Sequence, residues 1–189
     1  MFISRRRPGF SLIETLIVMA LLATVAAIGI PRMDIFKYRA HAGVVQVRSL
    51  LMQAQRDAIV RQHDLLVSID TVGSRLILGY DQNNDGKVLG TERIRVQSLP
   101  ENTRFATPPE ALGTSGMTSF GAIQAVKLLS MSNLPTVVFR RDGTVSTPLE
   151  LYTTSQRSMA SDFRVTTVVQ ATGRTTYLRY TGTDWKAAR

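Results

Sequence analysis

Between Phe10 and Ile30 the chain carries 21 residues with almost no polar position. Ser11, Thr15 and Thr24 interrupt the run mildly, and Glu14 is its only charge. At ~1.5 Å rise per residue a helix of this length spans about 32 Å, the hydrocarbon core of one bilayer. The pattern predicts a transmembrane helix over residues 10–30. Arg5, Arg6 and Arg7 stand in front of it and are expected to stay on the cytoplasmic side.

Beyond Pro31 the pattern turns periodic. Phe36, Ala40, Val44, Val47, Leu51, Ala54 and Ala58 recur in steps of three and four, and Val45, Met52 and Ile59 widen the stripe. Arg39, Arg48, Arg56 and Arg61 lie off it. This is an amphipathic helix from Arg32 to about Gln62, continuous with the apolar helix or bent near Pro31. Gly43 costs some helicity without breaking the pattern.

From Leu65 onward the period shortens. Leu65 to Asp70 and Arg75 to Tyr80 read as a hairpin joined by Thr71-Val72-Gly73-Ser74. Ile94 and Val96 alternate with Arg93, Arg95 and Gln97 as a half-exposed strand. Thr107 to Gly121 reads as a long loop, and Ala122 to Leu129 as either a helical turn or a strand. Thr136 to Phe139, Arg140-Arg141-Asp142-Gly143 and Thr144-Val145 form a hairpin signature with Asp-Gly at the turn. Phe163 to Gln170 and Thr175 to Tyr180 flank a last turn at Ala171-Thr172-Gly173-Arg174. Thr181 to Arg189 is expected to be mobile apart from Trp185. One long helix followed by hairpins predicts an α+β domain over residues 32–189, its helix stripe packed on antiparallel sheet.

A secretory signal has a shorter apolar core with a small-residue cleavage site after it. Here Ile28-Gly29-Ile30-Pro31-Arg32 is a poor match, and a Gly-Phe junction precedes the core instead. Arg5-Arg6-Arg7-Pro8-Gly9-Phe10-Ser11-Leu12-Ile13-Glu14 resembles the class III signal of type IV prepilins and type II secretion pseudopilins. That resemblance implies a pilin-like fold and a leader, residues 1–9, removed by a prepilin peptidase between Gly9 and Phe10. It also implies N-methylation of Phe10 and retention of the apolar segment in the inner membrane, with the domain outside the cytoplasm. The family's acid at the fifth mature position falls on Glu14, and the proline that often ends its membrane stretch falls on Pro31. A carboxylate in hydrocarbon costs roughly 2.5–3.5 kcal/mol on the lenient insertion scale. The amine of a neighbouring subunit's Phe10 is the partner the family implies. Phe139 to Gly143 and Gly173-Arg174 resemble motifs of the GspH/FimT branch of minor pilins and pseudopilins. That branch implies a structural subunit that starts or caps a pilus or pseudopilus, with other pilins or pseudopilins as partners.

The chain has 189 residues, no cysteine, and 23 Lys+Arg against 14 Asp+Glu, a formal charge of +9. Loss of residues 1–9 takes three arginines with it and leaves +6. Disulfide staples and cysteine-based chemistry are therefore excluded. Nineteen of the basic residues are arginine, the side chain best suited to phosphate and carboxylate. Arg140, Arg141, Arg164, Arg174 and Arg179 lie in or beside the C-terminal hairpins. They admit two readings, a solvated basic face or a surface for DNA phosphates, as in a DNA-binding minor pilin for uptake. Some FimT-type pilins that bind DNA carry Gly-Arg-x-Arg; here Thr176 stands at the second arginine.

Asp81-Gln82-Asn83-Asn84-Asp85-Gly86, with Glu92 at the twelfth place, fits a calcium-loop pattern. Side-chain oxygens of Asp81, Asn83 and Asp85, the carbonyl of Lys87 and both oxygens of Glu92 would wrap Ca2+, with Val88 as a buried pin. The same residues are ordinary turn composition, and the flanks read as strands, so a plain inter-strand loop is the alternative. No other cofactor is indicated. His41 and His63, both placed on the helix, are too far apart for a metal pair, and no zinc, nucleophile-elbow or phosphate-loop motif occurs. An enzyme is not expected.

Overall fold

The computed structural model describes residues 11–29, 34–88, 90–109, 125–127 and 133–187. The chain divides into two units, Met1–Ile35 and Phe36–Arg189, each considered by itself.

The first unit holds α1 (Leu12–Gly29), 18 residues long or about 27 Å. Ser11 caps it, its hydroxyl accepting from the Ile13 amide at 3.2 Å and its carbonyl accepting from the amides of Glu14 and Thr15. Its large apolar side chains from Leu12 to Val25 are exposed. Among the described residues no helix is long and apolar enough to cross a membrane; Phe10 and Ile30, the expected ends of the span, lie outside them.

In the second unit α2 (Ile35–Arg61) runs beneath two five-stranded antiparallel sheets. It ends where Gln62 turns to φ 58°, so His63 lies beyond the helix rather than on it. The first sheet has the order β3-β2-β1-β6-β5, with β1 (Asp64–Asp70), β2 (Arg75–Asp81), β3 (Ile94–Ser98), β5 (Ala125–Lys127) and β6 (Asn133–Phe139). The second has the order β10-β9-β8-β7-β4, with β4 (Thr103–Phe105), β7 (Leu149–Ser155), β8 (Arg164–Val168), β9 (Thr175–Tyr180) and β10 (Trp185–Ala187).

The predicted helix stripe is buried at Ala40, Val44, Val47, Leu51, Ala54 and Ala58, and Phe36 is partly exposed. The stripe widens in the opposite direction from the one expected. Val45, Met52 and Ile59 are exposed, while Gly43 and Leu50 are buried. The sheets decide this. Gly43 lies against Thr103 of β4, where a Cβ would stand 3.4 Å from the threonine methyl.

The predicted first hairpin forms, with Leu65 opposite Tyr80 and Asp70 opposite Arg75. Both its faces are covered. Leu65, Val67, Ile69, Leu76, Leu78 and Tyr80 join the helix in the main core. Leu66 packs on the other face with Val88, Ile94 and Val138. The Asp-Gly hairpin is shorter than predicted: Phe139 and Val145 make one bridge. The Val145 amide then donates to Gln170 of the C-terminal hairpin at 2.9 Å, and the chain crosses to the second sheet. Three strands were not foreseen, β4, β7 and β10. β7 reads Leu-Glu-Leu-Tyr-Thr-Thr-Ser yet is buried at every position. The tail expected to be mobile forms β10, with Trp185 edge-on to Tyr152 and Tyr180 at 5.5 and 5.4 Å.

Candidate functional site

Three groups of residues were singled out from the sequence. At the N-terminus, Gly9 and Phe10 lie outside the described residues. Glu14 stands in the first turn of α1 with its side chain exposed. An acid at this end is favoured by the helix dipole.

The 81–92 loop folds back on itself. Asp81 is fully buried, and its carboxylate accepts from the amides of Asp85 at 3.1 Å and Gly86 at 2.7 Å. Asn83 accepts from the Asp85 amide, Asp85 accepts from the Lys87 amide, and Glu92 accepts from the Gln82 amide. Gly86 supplies the positive φ, 78°, that closes the turn. Val88 is buried against Leu66, as a pin should be. Among the described residues no three acidic or histidine side chains converge as a metal site.

The five arginines separate into two places. Arg140 and Arg141 sit on one turn and Arg174 on another, all exposed. Gln55 of α2 locks these turns together, its amide donating to the carbonyls of Gly143 at 3.1 Å and Thr172 at 2.7 Å. Gly173 fits only as glycine: its φ is +61°, and a Cβ would meet the Gly143 carbonyl oxygen at 2.5 Å. Asp142 shares this end and dilutes its charge. Hydrogen bonds from Thr144, helped by Arg140, hold its carboxyl below the usual range.

Arg179 lies at the far end of β9, paired across the strands with Arg164. Arg164 corrects the sequence reading, because it is 7% exposed and so cannot lie along a phosphate backbone. Its guanidinium donates to the carbonyls of Ser161 at 2.7 Å and Phe163 at 2.8 Å.

The prokaryotic N-terminal methylation motif matches residues 4–30. Two solved structures of the minor pseudopilin EpsH from the type 2 secretion system of Vibrio cholerae resemble the chain. One has a TM-score of 0.52 at 17% identity, over 76% of this chain and 98% of that one. The other has a TM-score of 0.48 at 17% identity, over 77% and 99%. Comparison with curated proteins finds no match. The domain has the minor-pseudopilin fold. In sequence the N-terminal methylation motif precedes that fold.

Two features of this domain escaped the sequence reading. The first is the polar edging of α2. On one flank Gln46 donates to the Ser98 carbonyl at 2.8 Å, Arg95 donates to Gln53 at 3.3 Å, and Asp57 accepts from the Tyr80 hydroxyl at 2.9 Å. On the other, His41, Arg48 and Gln55 face the second sheet. His41 and Arg48 both lie on the ring of Tyr177, at 5.9 and 5.5 Å. Steps of seven along a helix keep side chains on one line, the only signal that marked this flank. The second is a buried ion pair. Arg157 grips Asp162 at 3.0 and 2.8 Å, and Ser155 donates to the same carboxylate at 2.6 Å. Burial raises the Asp162 pKa, but Arg157, Ser155 and Ser161 together hold it below the ordinary value.

Proposed function

We propose that this chain is a structural subunit of a type II secretion pseudopilus or type IV pilus, one that helps to start or cap the assembly. The observation that carries it is a methylation motif over residues 4–30 in front of a minor-pseudopilin fold. On this reading a prepilin peptidase cuts after Gly9 and Phe10 is methylated. The apolar helix then anchors the subunit in the inner membrane and later packs in the filament core. Glu14, the only charge in the apolar run, neutralises the amine of a neighbour's Phe10. The test is a pair of substitutions. Gly9→Val should abolish the mobility shift on processing, because the cut needs a residue without a side chain there. Glu14→Ala should be processed normally and be missing from sheared filaments or tip complexes. Normal recovery of Glu14→Ala would count against the pairing.

A second reading is favoured by one arrangement: Arg140, Arg141 and Arg174 are exposed on two turns that Gln55 ties together. Such an end suits a DNA backbone, since phosphates need cations and little else. Duplex DNA should then bind the full-length chain in detergent, weakening steeply with salt and failing on Arg140→Gln/Arg174→Gln. Absence of binding at low salt removes this reading and leaves the assembly subunit.

A further inference from the structure

Where α2 crosses the last hairpin, cations gather. The face of β9 that carries Tyr177 also carries Arg179, two residues on. Register places Thr166 opposite Tyr177 and Arg164 opposite Arg179, where cross-strand Cβ atoms stand ~5 Å apart. From the helix side Arg48 stacks on Tyr177 at 5.5 Å and His41 stands beside it. Three guanidiniums and an imidazole thus border one patch.

The patch also holds donors with nothing to bond. Arg164 Nε, Arg48 Nε and Thr166 Oγ1 are buried and have no hydrogen-bond partner. Thr166 is fully buried and Arg164 nearly so. Buried donors are normally satisfied, and a buried cation is normally paired. Neither the Arg75–Asp70 nor the Arg157–Asp162 ion pair uses these arginines. Asp162 is the acid near Arg164, but Arg157 and Ser155 already hold its carboxylate. Burial pushes the Arg164 pKa down and Arg179 pushes it further, against the opposing pull of Asp162 and Tyr177. Arginine nevertheless stays charged at neutral pH.

We propose that Arg48, Arg164, Arg179, Thr166 and His41 form a seat for one oxyanion group, a carboxylate or a phosphate. One compact group suits it and a polymer backbone does not, because Arg164 is only 7% exposed, with half-buried Arg48 and exposed Arg179 as the rim. The seat is separate from the exposed arginines of the two Gln55-bound turns, and it stands whichever machine the chain assembles into.

The test is a thermal melt of the full-length chain in detergent micelles at constant ionic strength, sodium chloride being replaced by inorganic phosphate or by acetate. A saturable rise of about 3–6 °C is expected at tenfold over the half-saturating concentration. Phosphate acting alone identifies a phosphate group; acetate acting as well identifies a carboxylate such as a partner protein presents. Because Arg164 is structural in part, the rim residues carry the control. Arg48→Gln and Arg179→Gln should each abolish the rise, whereas Arg140→Gln and Arg174→Gln should keep it. Equal melting in chloride, phosphate and acetate overturns the seat. So does a rise that survives both rim variants, or one that only duplex DNA produces and that grows with duplex length.

Discussion

In the first sheet the fully buried side chains are Leu65, Leu66, Val67, Ile69, Leu76, Ile77, Leu78, Val137 and Phe139, with Asp81 at the end of β2 and Ser68 bonded to Thr136 at 2.6 Å. In the second, Leu149, Leu151, Tyr152, Val165 and Val168 are joined at the same degree of burial by Glu150, Thr153, Thr154, Ser155 and Thr166, and by Asp162 in the connection from β7 to β8. The two sheets have the same number of strands and share one helix. Yet one is closed chiefly by apolar area, and the other keeps more polar groups dry and braces some of them with charge. Apolar burial is non-directional and tolerates small shifts. Buried polar groups tolerate none, because each donor left alone costs about 1–3 kcal/mol. A sheet built in the second way is retained at such expense where polar groups have a task, and the cationic patch is on that sheet.

The comparison breaks first at Asp162. Replacing it with alanine takes the carboxylate from Arg157 and deprives Ser155 of its acceptor. A loss of about 3–5 kcal/mol is expected in denaturant unfolding. Arg157→Met combined with Asp162→Leu should recover most of it, since an apolar pair asks for no compensation. A loss under 1 kcal/mol for Asp162→Ala would mean that the brace is ornamental. The pH dependence has a definite sign. The folded pKa of Asp162 lies below its ordinary value. Its stabilisation is therefore present above about pH 4 and is lost as pH falls through the folded pKa. Asp70, held down chiefly by the Gly73 amide and also by Arg75 and Val72, behaves alike in the first sheet. The acid-induced loss should shrink in the Asp162 double variant and persist through Asp70.

Next in size is Gly173, where the second sheet is tied to the Asp-Gly turn. Gly173→Ala combines a positive φ with a clash against Gly143 and Gln55, and should cost about 2 kcal/mol. Gly86 has a similar φ and open space around it, so Gly86→Ala should cost about 1 kcal/mol. Equal losses would show that the clash is relieved by moving Gln55.

Opposite in sign is Thr153→Val. The Thr153 hydroxyl is buried without a partner, and valine has nearly its shape. Stability in denaturant unfolding should be unchanged or raised by about 1 kcal/mol. The same change at Thr166 removes a donor from the oxyanion seat, so its benefit should vanish when phosphate is present.

The same contrast explains what could be read from the sequence. The first hairpin and the buried stripe of α2 were visible because apolar side chains announce burial by their spacing. The outer flank was misjudged because Val45, Met52 and Ile59 are as apolar as their neighbours. Only the sheets' position shows which edge of the stripe they cover. β7 was invisible because Glu150 and its threonines and serine look like a solvated segment until Tyr152 donates to Glu150 at 2.6 Å. Among the arginines, type and clustering were legible. Burial of Arg164 was not, nor was the meeting of Arg48 with Tyr177, because strand register and helix docking decide both.

The smallest effect expected is that of calcium on the 81–92 loop. Its sequence has every oxygen a calcium loop asks for, and its fold brings Asp81, Asn83 and Asp85 to one turn. Those oxygens already order the turn by accepting backbone amides, with Val88 holding the loop to the apolar sheet. A cation would have little left to organise, whereas a true calcium loop of this pattern is gathered by its metal. Melting in millimolar calcium and in chelator should therefore agree within about 1 °C, since one site at saturation would shift it by several degrees. A larger calcium-dependent rise that Glu92→Gln removes would mean the amide-bonded turn is only the metal-free half of a switch. The apolar sheet, through Val88, would then be coupled to an ion, and the division of labour between the two sheets would fail.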